Sequence, residues 1–361
     1  MSENIAAKEY LAQGGDWQQI VSEAAERGDE TVVINFGPTH PSTHGVMRLV
    51  IELDGETVKD MRVGIGFLHT GIEKSMEYRT WTQGVAYATR ANYVANFFNE
   101  LVYCLAVEKL LGITDEVTER ANALRVMITE VNRISSHLVA VGTGSMELGA
   151  TSVTEVGLRE REICLEFNQA VTGLRMNNAW IRPGGTATDL PDNGMDLLRD
   201  LIARMEDNLH ELSEFTLQNP IFKSRMTTPY IGYENYEFDV PTADTADCYG
   251  RFVIRLEEMN QSVRILKQVV KKLEDTQGQR HMVDDPHIAW PAELAIGPDG
   301  QGNSHEHIKH IMGESMEALI HHFKVITEGF KVPAGEVYQS IEGVAGELGC
   351  HLVSDGGVRP Y

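Results

Sequence analysis

Apolar positions first recur along this chain in short, strand-like runs. Residues 31–36 (TVVINF) read as one strand, and 46–53 (VMRLVIEL) as a second. The second runs into Asp54-Gly55, a dipeptide that favours the positive φ angles of a tight hairpin turn. Residues 58–67 (VKDMRVGIGF) return as a third strand, so the pattern predicts an antiparallel sheet. From 71 to about 272 the period lengthens to that of a helix. Tyr93, Phe97, Leu101 and Leu105 make one apolar stripe, and Val126, Glu130, Ile134, His137 and Val141 another. Further helices are predicted over 156–178, 193–217, 246–273 and about 304–329, with Pro183, Pro191, Pro220, Pro229 and Pro241 at joins. VYQSIE and ELGCHLVS then read as a terminal hairpin of strands. The prediction is an α+β chain with an N-terminal antiparallel sheet, a central helical bundle and C-terminal strands. In domain terms, 1–30 is an acidic N-terminal extension with one short helix. Residues 31–361 form a single domain, strand-rich at 31–67, helical at 71–330 and strand-rich again at 335–361.

Composition narrows the function. The 361 residues, 42% of them apolar, suffice for one large globular unit. Net charge is -22, and the acid excess is spread along the chain, so it reads as a solvated face that repels nucleic acids. No apolar run reaches the roughly 18 residues a membrane span needs. The start lacks a basic segment followed by an apolar one, so no signal peptide is expected. Cys104, Cys164, Cys248 and Cys350 form no CxxC pair and read as packed, reduced thiols of a cytoplasmic protein. Iron–sulfur clusters need several thiolates, so none is expected on this chain.

Several segments carry candidate chemistry. GPTHPSTHG (37–45) sets two histidines among two glycines and two prolines between two strands. It reads either as a rigid loop that presents an imidazole, or as a hairpin whose histidines cap local backbone groups. Glu73, Lys74, Glu77 and Arg79 would alternate in sign on a helix start, and read by themselves as an ordinary charged turn. Tyr93 lies on an apolar stripe and reads as a core tyrosine. Glu130, Arg133 and His137 share a helical face, which reads as a buried ion pair plus a core histidine. Glu147 follows a glycine-bearing break at Gly142 and Gly144, and a carboxylate there would set the charge of an imidazole it faced. IRPGG (181–185) reads as a turn that lets another backbone approach closely. HEHIKH (305–310) and His321-His322 raise a metal reading, but the histidines are scattered around an amphipathic helix, and no metal site is expected. GxGxxG and GK[ST] are both missing, so no nucleotide fingerprint is present.

GPTHPSTHG, GFLHTGIEKSMEYR, VEKLLGI, NRISSHL, ELGA, LREREI, LRMNNAWIRPGG, GYENYEFDV, HIAWP, SMEALIHHFK and ELGCHLVSDGGVRPY follow one another in a single order. Together they resemble the 49-kDa (D-type) subunit family of the proton-pumping NADH:quinone oxidoreductases, respiratory complex I, over 32–361. The acidic start and MELGA look most like actinobacterial members. The resemblance implies descent from the large subunit of nickel–iron hydrogenases. Those hold nickel with two CxxC pairs. The segment matching the first pair is RTWTQG (79–84), with no cysteine, and there is no second pair, so no nickel is expected.

The resemblance further implies a quinone site in the vacated pocket and membrane attachment through partners, on the cytoplasmic side. His44, Tyr93 and Thr143 match residues that contact the quinone headgroup. Glu147 matches an acidic position that pairs with the histidine, and Arg90 an arginine beside the terminal iron–sulfur cluster of the neighbouring B-type subunit. C- and I-type subunits and the H-type membrane-arm subunit are the other implied partners. In this picture His44 and Tyr93 supply protons while electrons arrive from the partner. Two departures are visible. Relative to that family, several tens of residues are missing between KSR (223–225) and TTPYIGY, and relatives continue beyond Tyr361. Asn177 stands where many relatives have a histidine. These leave a non-catalytic scaffold paralogue, or an inactive fragment of the same fold, as the alternative reading.

Overall fold

The computed structural model describes residues 32–147, 151–217, 237–239, 241, 248–292, 309, 313 and 316–361. The chain divides into two compact units, Met1–Gly71 and Ile72–Tyr361.

In the first unit β1 (Val32–Phe36), β2 (Arg48–Asp54) and β3 (Thr57–Gly64) form an antiparallel sheet in that order. All three strands are where the alternating pattern put them. Asp54 pairs with Thr57 across a two-residue turn, and Gly55 takes the φ of 61° that the turn needs. Val50 and Glu52 bury themselves on one face of β2, two residues apart as the pleat requires.

The second unit is a helical bundle closed by a strand pair. Its elements are α1 (Ile72–Met76), α2 (Trp81–Ala88), α3 (Asn96–Leu111), α4 (Glu119–Glu147) and α5 (Thr151–Thr172), then α6 (Gly194–Leu217), α7 (Cys248–Asp275), α8 (Pro286–Ala292) and α9 (Met316–Glu328). The short hairpin β4 (Ile181–Arg182) and β5 (Gly185–Thr186) follows α5, and β6 (Gly335–Gly343) and β7 (Gly346–Ser354) pair antiparallel at the end. Thr80 caps α2 in a reciprocal box with Gln83. Gly112, left-handed at φ 74°, ends α3. Helices α3 and α4 are buried nearly all round and form the centre of the core, with α5, α7 and the β6–β7 pair packed against them.

Two expectations about this bundle need correction. The chain does not break at Gly142 and Gly144, because α4 runs on through both to Glu147. The glycines serve contact instead. A Cβ on Gly144 would lie 2.8 Å from the Phe252 ring, and one on Gly157 of α5 would lie 3.1 Å from Leu138 O of α4. The helix predicted over 156–178 begins earlier and stops at Thr172, where Gly173 turns left-handed at φ 81°. The IRPGG reading holds. A Cβ on Gly185 would lie 2.1 Å from His281 O, and Thr186 N and Val283 N bond across this contact to His281 O and Gly184 O. The short helix expected within 1–30, the start of the helix from 304, and His305, His307 and His310 lie outside the described residues.

Candidate functional site

The histidine loop of the first unit is held by its own short-range bonds. A 3-10 turn at Pro41–Thr43 carries His40 as N-cap, whose Nδ1 accepts from Ser42 N at 3.2 Å. Thr43, buried, donates its hydroxyl to His40 O at 2.8 Å and to Pro38 O at 3.2 Å. Gly37 is indispensable to the geometry, since a Cβ there would meet Met47 O at 2.3 Å. His40 also packs on Phe36 with ring centroids 4.3 Å apart. His40 therefore fulfils the capping reading, whereas His44 does not. It closes the turn in the left-handed conformation at φ 50°, exposed, and its ring has no hydrogen bond among the described residues.

In the second unit Tyr93 overturns the core reading. It lies in the turn before α3, not on its buried stripe, and is 57% exposed. Its hydroxyl has no hydrogen bond among the described residues. Phe97 and Leu101, the next members of that stripe, are buried as predicted. The turn beneath Tyr93 is tied to the core by polar side chains that periodicity does not reveal. Thr89 donates to Glu100 Oε1 at 2.6 Å, Asn99 to Asn92 O at 3.1 Å and Asn132 to Val94 O at 3.2 Å. Arg90 is exposed and folds back onto Ala86 O at 2.5 Å.

Glu100 is fully buried and accepts from Ala179 N, Trp180 N and Ile181 N as well as from Thr89. Burial pushes its carboxyl above the usual range, against the pull of the four donors. One helical turn on, Cys104 is buried and its thiol pushed well up, so it is no thiolate. A further turn on, Glu108 pairs with Arg125 of α4 and accepts from Gly184 N. Carboxylates eight residues apart inside an apolar helix, which the sequence reading passed over, are the signal that could have found this arrangement. The β4–β5 hairpin is clasped by that face of α3.

On α4, Glu130 and Arg133 form the predicted buried pair at 3.4 Å. His137 is a core histidine whose Nε2 lies 2.5 Å from Glu258 Oε2 of α7, a partner its sequence neighbourhood does not reveal. Burial pushes this imidazole below its ordinary pKa, partly offset by the Glu258 hydrogen bond. Nδ1 has no partner among the described residues, which suits a neutral ring carrying its proton on Nε2. Thr143 is half-buried and donates back to Val139 O at 2.7 Å, and Glu147, one turn further, is exposed. Asn132, which anchors the Tyr93 turn, and Thr143 both lie on α4 and are separated by about 16 Å along its axis.

A cavity of about 400 Å³ lies beside the same turn, lined by Glu73, Met76, Ala91, Asn99, Tyr103 and Cys350 among others. Its volume is that of a small-molecule site. The Cys350 thiol that borders it is pushed up to about 11 by burial, so it stands as the neutral thiol at neutral pH. Residues 79–84 offer a capping threonine and a buried tryptophan but no thiolate.

Comparison with known proteins fits these observations to one family. The model of the respiratory-chain NADH dehydrogenase 49-kDa subunit matches residues 147–228 and 224–361. The D-type subunit of the NADH-quinone oxidoreductase of Cutibacterium acnes is 73% identical over 393 residues, covering 100% of this chain and 90% of that protein. The chain belongs to the 49-kDa, or D-type, subunit family of NADH-quinone oxidoreductases. A D-type subunit of Streptomyces coelicolor is 54% identical over 384 residues, covering 98% of this chain and 87% of that protein. The D-type subunit of a Nocardioides species is 51% identical over 393 residues, covering 100% of this chain and 88% of that protein. These actinobacterial relatives agree with the resemblance read from the motifs, as does the α+β architecture. The two matched stretches of the 49-kDa model meet at 224–228, where the resemblance placed the missing residues. No helix of the described residues is long and apolar enough to cross a membrane.

Proposed function

We propose that this chain forms the quinone-headgroup site of an NADH:quinone oxidoreductase, beside the terminal iron–sulfur cluster of a B-type partner, and donates protons to the reduced quinone. The observation that carries this reading is Tyr93: a large aromatic stands 57% exposed on a turn that buried side chains hold fixed, with its hydroxyl uncommitted among the described residues. A phenol in that setting is presented to a ligand rather than packed. His44 supports the same reading from the first unit, exposed at the end of a rigid turn.

The chemistry follows from the residue types. Reduction of a quinone takes two electrons and two protons. The electrons come from a partner, since no thiolate set on this chain suits a cluster. Histidine, with a reference pKa near 6.5, donates readily to a carbonyl oxygen, and His44 takes that role. Tyrosine, with a reference value near 10, donates only as the other oxygen gains negative charge, and Tyr93 takes that one. Thr143 adds a hydroxyl along α4. Glu147 would serve as the acidic partner of the proton donor, and its unpairing once that proton is given up would start the signal to the membrane arm. Arg90 would stand beside the partner's cluster. Residues 31–361 would serve as a single domain after the acidic extension 1–30. The chain attaches peripherally, on the cytoplasmic side of the cell membrane, through other members of the complex: B-, C- and I-type neighbours and the H-type membrane subunit.

The test is co-purification of the tagged chain from its native membranes, with quinone-analogue-sensitive NADH oxidation assayed on the same sample. The complex should be recovered active, and Tyr93→Phe should lower quinone-dependent turnover about a hundredfold while NADH oxidation by ferricyanide is unchanged. Glu147→Gln should also lose quinone-dependent turnover. Partners recovered without inhibitor-sensitive activity, or a lone chain, would instead favour the scaffold reading that the internal gap raises.

A further inference from the structure

The carbonyls of the residues before and after Tyr93 are each gripped by a buried asparagine. Asn99 Nδ2, on α3, donates to Asn92 O at 3.1 Å. Asn132 Nδ2, on α4, donates to Val94 O at 3.2 Å. These side chains are 5% and 2% exposed, while the tyrosine between the two carbonyls is 57% exposed. Asn132 is committed at both ends, because its Oδ1 accepts from Phe97 N at 3.3 Å and so cannot swing away. Within the turn itself Asn92 Oδ1 accepts from Val94 N at 3.2 Å, and Ala95 N bonds Asn92 O at 3.1 Å. One residue before Arg90, Thr89 is tied to Glu100, so both exposed candidates of this turn are fixed from below.

This is unusual bracing for a surface turn. Exposed loop tips are ordinarily held by local bonds and open at low free-energy cost. Here two helices each spend a buried amide on a carbonyl of a residue next to the exposed Tyr93. Asparagine suits the task because it donates to a carbonyl and accepts from an N–H at once. A leucine of similar size would strand those groups, which costs more than the bond itself contributes.

We propose that Asn99 and Asn132 are positioning residues for Tyr93, fixing the backbone on both sides so that the phenol meets a ligand carbonyl at hydrogen-bond distance. The inference rests on the quinone reading above. The phenol hydroxyl sits at the end of a rigid side chain, so a small rotation of the Tyr93 backbone carries it beyond the narrow range in which a hydrogen bond or proton transfer works. Neither asparagine touches the ligand in this scheme. Each acts through Tyr93 alone.

The test is a set of double-mutant cycles on the assembled complex in native membranes. Asn99→Ala and Asn132→Ala are each made with Tyr93 intact and together with Tyr93→Phe. The readouts are the half-inhibitory concentration of a quinone analogue, and KM and kcat for a short-chain quinone. Recovery of the complex and ferricyanide reduction check assembly. With Tyr93 intact, each asparagine variant should raise the half-inhibitory concentration roughly fivefold, and raise KM by more than it lowers kcat. Combined with Tyr93→Phe, each should add no further shift. Equal shifts in both backgrounds would overturn the proposal, because the asparagines would then act on the fold at large, and so would no shift in either background. If Tyr93→Phe itself leaves analogue affinity and turnover unchanged, the quinone reading fails and takes this inference with it. An effect of Tyr93→Phe without one of the asparagine variants sinks the positioning role alone. Should Asn132→Ala prevent assembly, Asn99→Ala and Asn99→Leu carry the same cycles.

Discussion

The turns that carry His44 and Tyr93 both present an exposed side chain, yet they are held in opposite ways. The 37–45 loop is braced from within: the Thr43 hydroxyl, the His40 ring and the turn's own amides reach no more than five residues along the chain. The Tyr93 turn is braced from outside, by Asn99 and Glu100 of α3 and Asn132 of α4, and through Glu100 it is tied to 179–181. The first kind of loop keeps its shape as long as its own residues are intact. The second inherits its shape from a core assembled from residues tens of positions apart. A perturbation far from Tyr93 in sequence should therefore disturb it, while nothing comparable should reach His44 by the same route.

The strongest way to break this contrast is Glu100→Ala. It leaves the Thr89 hydroxyl and three backbone N–H groups without their buried acceptor. A loss of about 3–5 kcal/mol in denaturant unfolding is expected, as for a buried charged group removed from its partners. Proteolysis should open the chain at 89–95 and leave 37–45 untouched. Equal sensitivity of both loops would erase the distinction.

Gly37→Ala attacks the other side. It adds a Cβ 2.3 Å from Met47 O at a residue with φ 77°, and should cost about 1–3 kcal/mol. The damage should stay in the unit Met1–Gly71, read as faster hydrogen exchange in β1 and β2 with no change in α3 and α4. Spread of that effect into α4 would mean that the histidine loop also depends on the core.

The smallest effect sharpens the comparison through pH. His137 is buried on the helix that anchors the Tyr93 turn, and its pKa is depressed in the fold. A group with a depressed folded pKa contributes stability that is present above its unfolded pKa, about 6.5, and lost as pH falls through the lower folded value. Thermal unfolding of the second unit should therefore weaken as pH drops below about 6.5, and His137→Gln should flatten that part of the profile. An unchanged profile would mean that His137 is not what senses acid there.

Much of the fold was legible in sequence because it rests on period and turn chemistry. The alternation of β1–β3 with Asp54-Gly55, the four-residue spacing of Phe97 and Leu101, and the paired glycines of IRPGG each state a local requirement that the structure meets. The site was legible only in part. His40 and His44 carry the same residue type in one motif, and only the geometry separates the capping ring from the exposed one. Tyr93 continues an apolar stripe in sequence, but α3 begins at Asn96, so the stripe's first member falls outside the helix and into solvent. Gly142 and Gly144 read as a break because glycine weakens an isolated helix. In the fold they are where α4 meets α5 and Phe252, and packing outweighs propensity.

What the sequence determined by itself is the order and type of the elements, the absence of thiolate pairs for nickel and the family to which the chain belongs. These follow from patterns read over a few residues or from motifs in a fixed order. What only the tertiary structure decided is which polar side chains meet. Glu258 lies against His137, Glu100 clasps three amides some eighty residues away, and two asparagines from different helices converge on one tyrosine. A buried polar group must find a partner, but nothing local specifies which one. Only the packing of helices against each other brings a particular donor within reach of a particular acceptor.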